Sequence, residues 1–526
     1  MKRAHLYCLI LLSFSYLLRS QTFESSKPPN ILFILADDLG YHDLSITGSR
    51  YYETPNIDRI ALEGTVFTQG YAASLVCSPS RASIMLGQFT ARHGITDWIG
   101  APEGEAWRDL KRYDKMLPAA YRHQLPQQAI TLPEALKAGG YVTFFAGKWH
   151  LGEGDSSPEK NGYDINIGGW EAGSPKGGYF SPWDNPLLPN TEPGENLSMR
   201  LAKETSQFIA WHADTPFFAM LSFYAVHAPI ETTEQKWAKY RNRADSLGIA
   251  EQAFIMEQML PIRTQQDNPV YAGLVEQMDD AVGLVIKQLK QSGLYENTII
   301  IFTSDNGGVA SGDAFSTSNL TLRGGKGYQW EGGIREPFFI RLPRNYNAVR
   351  SSDVPVTGAD FYPTLLDYAG IPQIPEQSVD GRSLKLLIEG KNFEERALFW
   401  HYPHYGNQGG LPSSIIRRGE YKLIHYWEDD HDELYNLETD LKEQRDLSKI
   451  EPERTHSLKA ELMAFLKETN ALRPQKDPQF DQHKRTELDR ERLEVLLPKL
   501  EEQRLLILSK TYNPDPTWWG SKLTKD

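Results

Sequence analysis

Cysteine is nearly absent from this chain, with only Cys8 and Cys77 in 526 residues. That excludes a disulfide-stapled scaffold and a cysteine-rich zinc module. Positive charge is also scarce. Lysine and arginine number 56 against 69 aspartates and glutamates, a formal charge of −13. A nucleic-acid binder usually shows the opposite balance, so no nucleic-acid partner is expected. Beyond the N-terminus no run approaches the roughly 20 apolar residues that span a bilayer, so no permanent membrane span is expected. No internal repeat and no long low-complexity tract is found. What remains is a globular composition, 40% hydrophobic and 24% charged, which can bury a sizeable core. At roughly 100–200 residues per domain, the length predicts one large domain and a smaller one.

The N-terminus has the layout of a secretory signal: Lys2 and Arg3, then a largely apolar run from Leu6 to Leu18. The run is too short for a span, and residues 1–20 are read as a signal peptide with cleavage after about Ser20. The other reading is a retained anchor. Cleavage implies an exported chain, periplasmic or secreted, whose one thiol is Cys77. Loss of Lys2, Arg3 and Arg19 takes the charge from −13 to −16. Net charge therefore will not attract an anionic ligand; local clusters must.

From about residue 29 to 383 short apolar runs alternate with helical periodicity. Ile31–Ala36, Val142–Ala146, Phe217–Val226 and Thr298–Thr303 read as strands covered on both faces. Arg81–Leu86, Leu132–Lys137, Met199–Trp211 and Val270–Gln291 read as helices. The alternation predicts an α/β fold: a large, mostly parallel central sheet flanked by helices, over residues 21–390. Residues 391–526 are expected to form a smaller C-terminal α+β subdomain. Its antiparallel sheet would use Ala397–His401, Ser414–Arg417 and Tyr421–Trp427, followed by charged helices over Glu451–Leu466 and Arg485–Ser509. Those helices are expected to pack on the domain with a solvated face, and changes in them to leave turnover nearly unchanged. Gly168–Gly194, rich in Gly, Pro and Trp, reads as a long loop of the kind that shapes a site.

Ligands in open α/β sheets bind beyond the carboxyl ends of strands. The first strand runs into Asp37-Asp38 and the last into Asp305-Asn306. The other two lead to Lys148 and His150, and to His227. Asp37, Asp38, Asp305 and Asn306 offer only oxygen donors, the set preferred by a hard divalent cation, Ca2+ first and Mg2+ second. Either pair alone would read as turn or cap residues; both after strong strands favour a metal. In Cys77-Ser78-Pro79-Ser80-Arg81, the proline marks a helix start at Ser78 or Pro79, placing Cys77 near the positive end of a helix. Arg81 would lie one turn further in.

Cys77-Ser78-Pro79-Ser80-Arg81 resembles the C-x-P-S-R signature of type I sulfatases in the alkaline phosphatase superfamily. Further resemblances follow in order: Leu35–Gly40, Gly147–Gly152, Thr303–Gly308, Gly324–Gly327 with Glu331–Pro337, and Asp432–Leu437. Together they cover about residues 28–450. The resemblance implies that a formylglycine-generating maturation enzyme converts Cys77 to formylglycine. It implies a cation held by Asp37, Asp38, Asp305, Asn306 and residue 77. It also implies that Arg81 supports the nucleophile, Lys148 and Lys326 hold sulfate oxygens, His227 protonates the leaving oxygen, and His150 acts as base at residue 77. Glu331 and Arg335 are read as a structural pair.

The expected activity is hydrolysis of sulfate esters on carbohydrates, exo-acting on sulfated galactose or N-acetylgalactosamine units of an oligosaccharide or polysaccharide. A phosphoester or phosphonate hydrolase of the same superfamily is one alternative. A non-catalytic carbohydrate-binding protein on the same fold is another. His401 and His404 from the small domain, with Trp170 and Trp183 from the long loop, are candidates for sugar contact because aromatic faces with polar tips suit sugar rings.

Overall fold

The structure, a computed structural model, describes residues 27–344, 346–512 and 522–524. The expected signal segment and Cys8 lie outside the described residues.

An eight-stranded sheet forms the centre. In chain order its strands are β1 (Asn30–Ala36), β2 (Thr65–Phe67), β3 (Val142–Gly147), β4 (Ile165–Ile167), β5 (Phe217–Ser222), β6 (Thr298–Ser304), β7 (Phe338–Arg341) and β8 (Ser351–Ser352). Their spatial order is β8-β2-β7-β6-β1-β5-β3-β4. The run from β6 to β4 is parallel, as expected, whereas β7 lies antiparallel to both β6 and β2. Parallel neighbours need a long crossover, usually a helix. Between β6 and β7 the chain has only the single helical turn Glu331–Ile334.

Seven helices sandwich the sheet: α1 (Pro55–Glu63), α2 (Cys77–Leu86), α3 (Leu132–Ala138), α4 (Leu197–Trp211), α5 (Glu234–Leu247), α6 (Pro269–Gln291) and α7 (Phe361–Ala369). β1 shows why both faces are covered. Its alternate side chains Leu32, Ile34 and Ala36 join a core with α1, α4, α5 and α6. Ile31, Phe33 and Leu35 join a second core with α2, α3 and α7. Successive side chains on a strand point to opposite faces, so an uninterrupted apolar run is stable only between two layers. Each large aliphatic buried this way contributes about 1.5–3 kcal/mol.

The small antiparallel sheet is a meander of β9 (Ala397–Tyr402), β10 (Ser413–Arg418), β11 (Tyr421–Tyr426) and β12 (His431–Asn436). Sequence reading finds the first three strands. β12 is a sheet edge whose His-Asp-Glu-Leu-Tyr-Asn sequence lacks an apolar run. Helix α8 (Pro452–Glu468) covers this sheet through Leu458, Leu462, Phe465 and Leu466. The same core takes in Leu75 and Val76, so the small sheet props the residues that enter α2.

The charged stretch that follows packs on the rest of the chain with a solvated face. It forms α9 (Gln482–Glu491), a π-helical turn (Arg492–Leu496) and α10 (Leu497–Ile507). These leave the small sheet and dock on the large body. Ile507 O accepts from Trp237 Nε1 at 3.1 Å, and Arg504 pairs with Asp267 at 2.7 Å. Leu500 and Ile507 are buried there. Among the described residues no helix is long and apolar enough to cross a membrane.

Candidate active site

The site is assembled by strand register. β1 and β6 are parallel neighbours with Ala36 opposite Ser304. The next residues on each strand, Asp37-Asp38 and Asp305-Asn306, therefore emerge side by side. Carboxylate oxygens of Asp37, Asp38 and Asp305 all lie within 4.8 Å of one another, fully buried. Asp38 takes a left-handed backbone (φ 64°), and its N–H donates to Asp305 Oδ1 at 3.2 Å. Asn306 Nδ2 donates to Asp38 Oδ1 at 2.8 Å. From β3 the chain passes through Gly147, whose φ of 108° and closeness to Ser222 O leave no room for a Cβ. Lys148 follows, then His150. α2 begins at Cys77 itself, slightly earlier than the sequence indicates, so Cys77 heads the helix.

Three buried cations face the three carboxylates. Lys148 Nζ donates to both oxygens of Asp37 at 2.8 and 2.7 Å. Lys326 Nζ reaches both oxygens of Asp38, at 2.8 and 2.7 Å. Arg81 Nε donates to Asp305 Oδ2 at 2.7 Å, while its Nη1 donates to Lys148 O and Ser222 Oγ, each at 2.8 Å. Burial raises the Asp37 carboxyl well above its ordinary value against the pull of Lys148. Burial acts on Asp38 in the same sense, but Lys326 and His227 outweigh it and hold that carboxyl low.

Cys77 Sγ lies 3.4 Å from His150 Nδ1. His150 Nε2 is 3.0 Å from Ile99 O, which can only accept. The ring therefore carries its proton on Nε2 and turns the Nδ1 lone pair to Cys77. Burial, reinforced by Lys148, keeps this imidazole neutral by lowering its pKa well below the usual value. His227 donates from Nδ1 to Ala228 O at 2.6 Å, with Nε2 3.7 Å from Asp38 Oδ2. Burial and then Lys326 lower its pKa to about 4.

These groups open into a cavity of about 360 Å³. Cys77, His150, His227 and Lys326 line it with Trp98, Glu171, Lys176, Asp313, Asn407 and Gln408. A larger cavity, about 760 Å³ near Glu63 and Arg350, contains none of the strand-end residues.

Three of the four sugar-contact candidates, His401, His404 and Trp183, need correction. His401 is buried in β9, hydrogen-bonded to Ser414 Oγ at 2.7 Å and Leu472 O at 2.8 Å. His404 is fully buried, with Nε2 2.8 Å from Thr96 Oγ1. Trp183 folds the long loop on itself, donating from Nε1 to Leu188 O at 2.9 Å. Trp170 supports His150 through its main-chain carbonyl and does not line the cavity. A ring inside a core cannot stack on a sugar. Other residues of the same regions reach the cavity: Glu171 and Lys176 from the long loop, Asn407 and Gln408 from the loop after β9. Asp313, Trp98 and Ser222 lie in no motif, and only proximity reveals them. Arg335 does pair with Glu331, at 3.5 Å.

Asp37, Asp38, Asp305 and Asn306 with residue 77 suit a hard cation. Asn306 Oδ1 is buried without a partner among the described residues, as a ligand atom awaiting a cation would be.

A family model described as "Sulfatase" matches residues 29–371, and one described as "N-sulphoglucosamine sulphohydrolase, C-terminal" matches residues 325–471. A protein named Sulfatase from Formosa agariphila is 31% identical, over 81% of this chain and 85% of that protein. N-acetylgalactosamine-6-sulfatase of Canis lupus familiaris is 30% identical, over 76% of this chain and 72% of its own length. The solved structure of Ps i-CgsB in complex with k-i-k-neocarrahexaose is similar at 25% identity with a TM-score of 0.69, covering 91% of this chain and all of that one.

Proposed function

The chain belongs to the sulfatase family and is a sulfuric ester hydrolase, and from that premise we propose that it removes sulfate from carbohydrates, with residue 77 in the formylglycine form and a divalent cation at the strand-end carboxylates. The observation that carries this reading is the placement of Cys77. It heads a helix, it opens into the cavity, and Lys326, His150 and His227 line the same space. The likeness to N-acetylgalactosamine-6-sulfatase and to the structure holding a neocarrahexaose supports a sugar as the substrate over the sterol of the similar Steryl-sulfatase. We favour a sulfated galactose or N-acetylgalactosamine unit at a chain end, because the N-acetylgalactosamine-6-sulfatase is among the relatives and the cavity suits one or two sugar rings.

Formylglycine supplies a hydrated aldehyde whose hydroxyl is the nucleophile at sulfur. The cation, Ca2+ first and Mg2+ second, would be held by Asp37, Asp38, Asp305, Asn306 and residue 77, and supplies positive charge that lowers hydroxyl pKa. The chain's own groups do the rest. Lys326 and Lys148 place ammonium charge where the sulfate oxygens gain charge. Arg81, fixed by Asp305, Ser222 and the Lys148 carbonyl, holds the first turn of α2 and so the position of residue 77. His150 accepts a proton from residue 77 at Nδ1. His227 carries a proton at Nε2 to the leaving sugar oxygen. A bound sulfate ester offsets the Lys326 charge that otherwise depresses this imidazole.

The sulfatase family match over residues 29–371 and the sulfatase relatives disfavour phosphoryl transfer. The intact set of lysines and histidines disfavours a non-catalytic role. The test is a panel of defined sulfated mono- and disaccharides, an aryl sulfate and the matching phosphates, with peptide mass analysis of residue 77. Turnover of the sugar sulfates by protein with aldehyde at position 77 is expected. Full activity with an unmodified thiol, or preference for phosphates, would refute the reading.

A further inference from the structure

A second cavity, of about 330 Å³, adjoins the first and shares Asp313 and Asn407 as a wall. Its far side is built by the chain's C-terminal stretch, beyond both matched family segments. Arg492 and Leu496, the two ends of the π-helical turn, line it, and Arg112 lines it from the large body. π-Helical turns are rare and often occur at functional sites.

The charges in this cavity are unbalanced in one direction. Arg112 donates from Nη1 to Gly406 O at 3.1 Å and from Nη2 to Asn407 Oδ1 at 2.7 Å, both neutral acceptors. Among the described residues no carboxylate oxygen lies within 4 Å of its guanidinium. Burial lowers its pKa, and the attraction of Asp114, the largest opposing effect, does not outweigh that loss of water. Arg112 is half-buried; Arg492 is buried, and its ion-pair partner Asp489 (3.1 Å) is shared with Arg485. Burial and then repulsion from Arg485 and Arg112 lower the pKa of Arg492, against the attraction of Asp489 and Asp114. Asp313 is tied to Gln408 at 2.7 Å. Two guanidiniums that have only neutral or shared partners suit the oxygens of a sulfate or carboxylate, which a planar fork can bind in pairs.

We propose that this cavity binds a second anionic group, a sulfate ester or a carboxylate, on the sugar next to the one whose sulfate is cleaved. The proposal rests on the carbohydrate reading above and replaces the expectation that changes in the C-terminal helices leave turnover nearly unchanged. Two adjoining cavities that share one wall match two linked sugar rings.

The experiment compares kcat/KM for three sulfated disaccharides: one with a second sulfate on the neighbouring sugar, one with a uronate there, and one neutral there. Wild-type protein is expected to prefer one or both doubly anionic substrates by about 10-fold, and the better of the two identifies the anion. In Arg492→Gln that ratio should fall to about 3 or less, mostly through KM, while Arg492→Lys keeps part of it. Leu496→Trp, which fills the cavity without touching a charge, should erase the ratio too, and it serves if Arg492→Gln does not fold. Equal rates on all three substrates in the wild type, or an unchanged ratio in either folded variant, would overturn the proposal. Absence of turnover on any sulfated sugar would instead overturn the carbohydrate reading and this subsite with it.

Discussion

Gln408 Nε2 donates to Asp313 Oδ2 at 2.7 Å, joining a loop that follows the first strand of the small sheet to a wall of the cavity in the large body. The loop sits against Gly327, where Gly410 passes so close to the Gly327 carbonyl that a Cβ at 410 would collide with it. The loop after β9 thus helps to build the cavity of the candidate site. Gln408→Ala frees Asp313 and removes one hydrogen bond to a charged group, worth about 1.5–3 kcal/mol. KM for sugar sulfates should rise on the order of 10-fold with a smaller change in kcat. Steady-state kinetics check this; a fall in kcat alone would place the loop's role in chemistry rather than binding.

Lys326 is fully enclosed by Asp38 on one side and the cavity on the other. Lys326→Ala should lower kcat by roughly 10²–10³-fold, the range seen when one donor to developing charge is removed. Lys326→Arg should restore little, because a planar fork does not replace a compact ammonium. Kinetics on a sulfated monosaccharide decide; activity within threefold of wild type in Lys326→Ala would remove Lys326 from the mechanism.

Chelation should abolish turnover and lower the melting temperature together. Ca2+ or Mg2+ should restore both, since a ligand that binds only the folded state stabilises by about 2.7 kcal/mol at 100 times its Kd. Asp305→Asn should blunt the recovery. Thermal melts with added metal read this directly, and better recovery with zinc would contradict an all-oxygen site.

Asp97 is buried beside His404, and burial lifts its carboxyl to about 8, although the Trp98 amide and the Tyr402 hydroxyl donate to it. The folded protein therefore keeps a proton that the unfolded chain releases near its ordinary value of 3.8. The stability this group contributes is full below about pH 4 and is lost as pH rises towards 8. Asp97→Asn cannot titrate, keeps an acceptor for both donors, and offers an N–H to His404 Nδ1, which stands 3.7 Å from the carboxylate with no hydrogen-bond partner among the described residues. The fall in melting temperature between about pH 5 and pH 8 should be smaller in this variant than in wild type. An unchanged fall would show that Asp97 is ionised in the fold.

Much of the site was legible before folding. A strand run followed by two polar residues is a local pattern, so Asp37-Asp38, Lys148-His150, His227 and Asp305-Asn306 could each be located on the chain, and Cys77 before a proline marked a helix start. Parallel strands in register then bring such positions together with no further information from the loops. Sequence alone thereby determined the α/β class, the strand ends that bear the chemistry and the family. Only the tertiary structure decided which side chains of a given segment face the cavity. His401, His404 and Trp183 have the chemistry of sugar contacts but are enclosed by packing from distant segments, while Asn407, Gln408, Glu171 and Asp313 reach the open space. It also decided that the last helices return to the large body and set Arg492 beside Arg112. The physical reason is that a strand's polar ending is encoded by neighbours in sequence, whereas burial at a loop tip is fixed by residues hundreds of positions away.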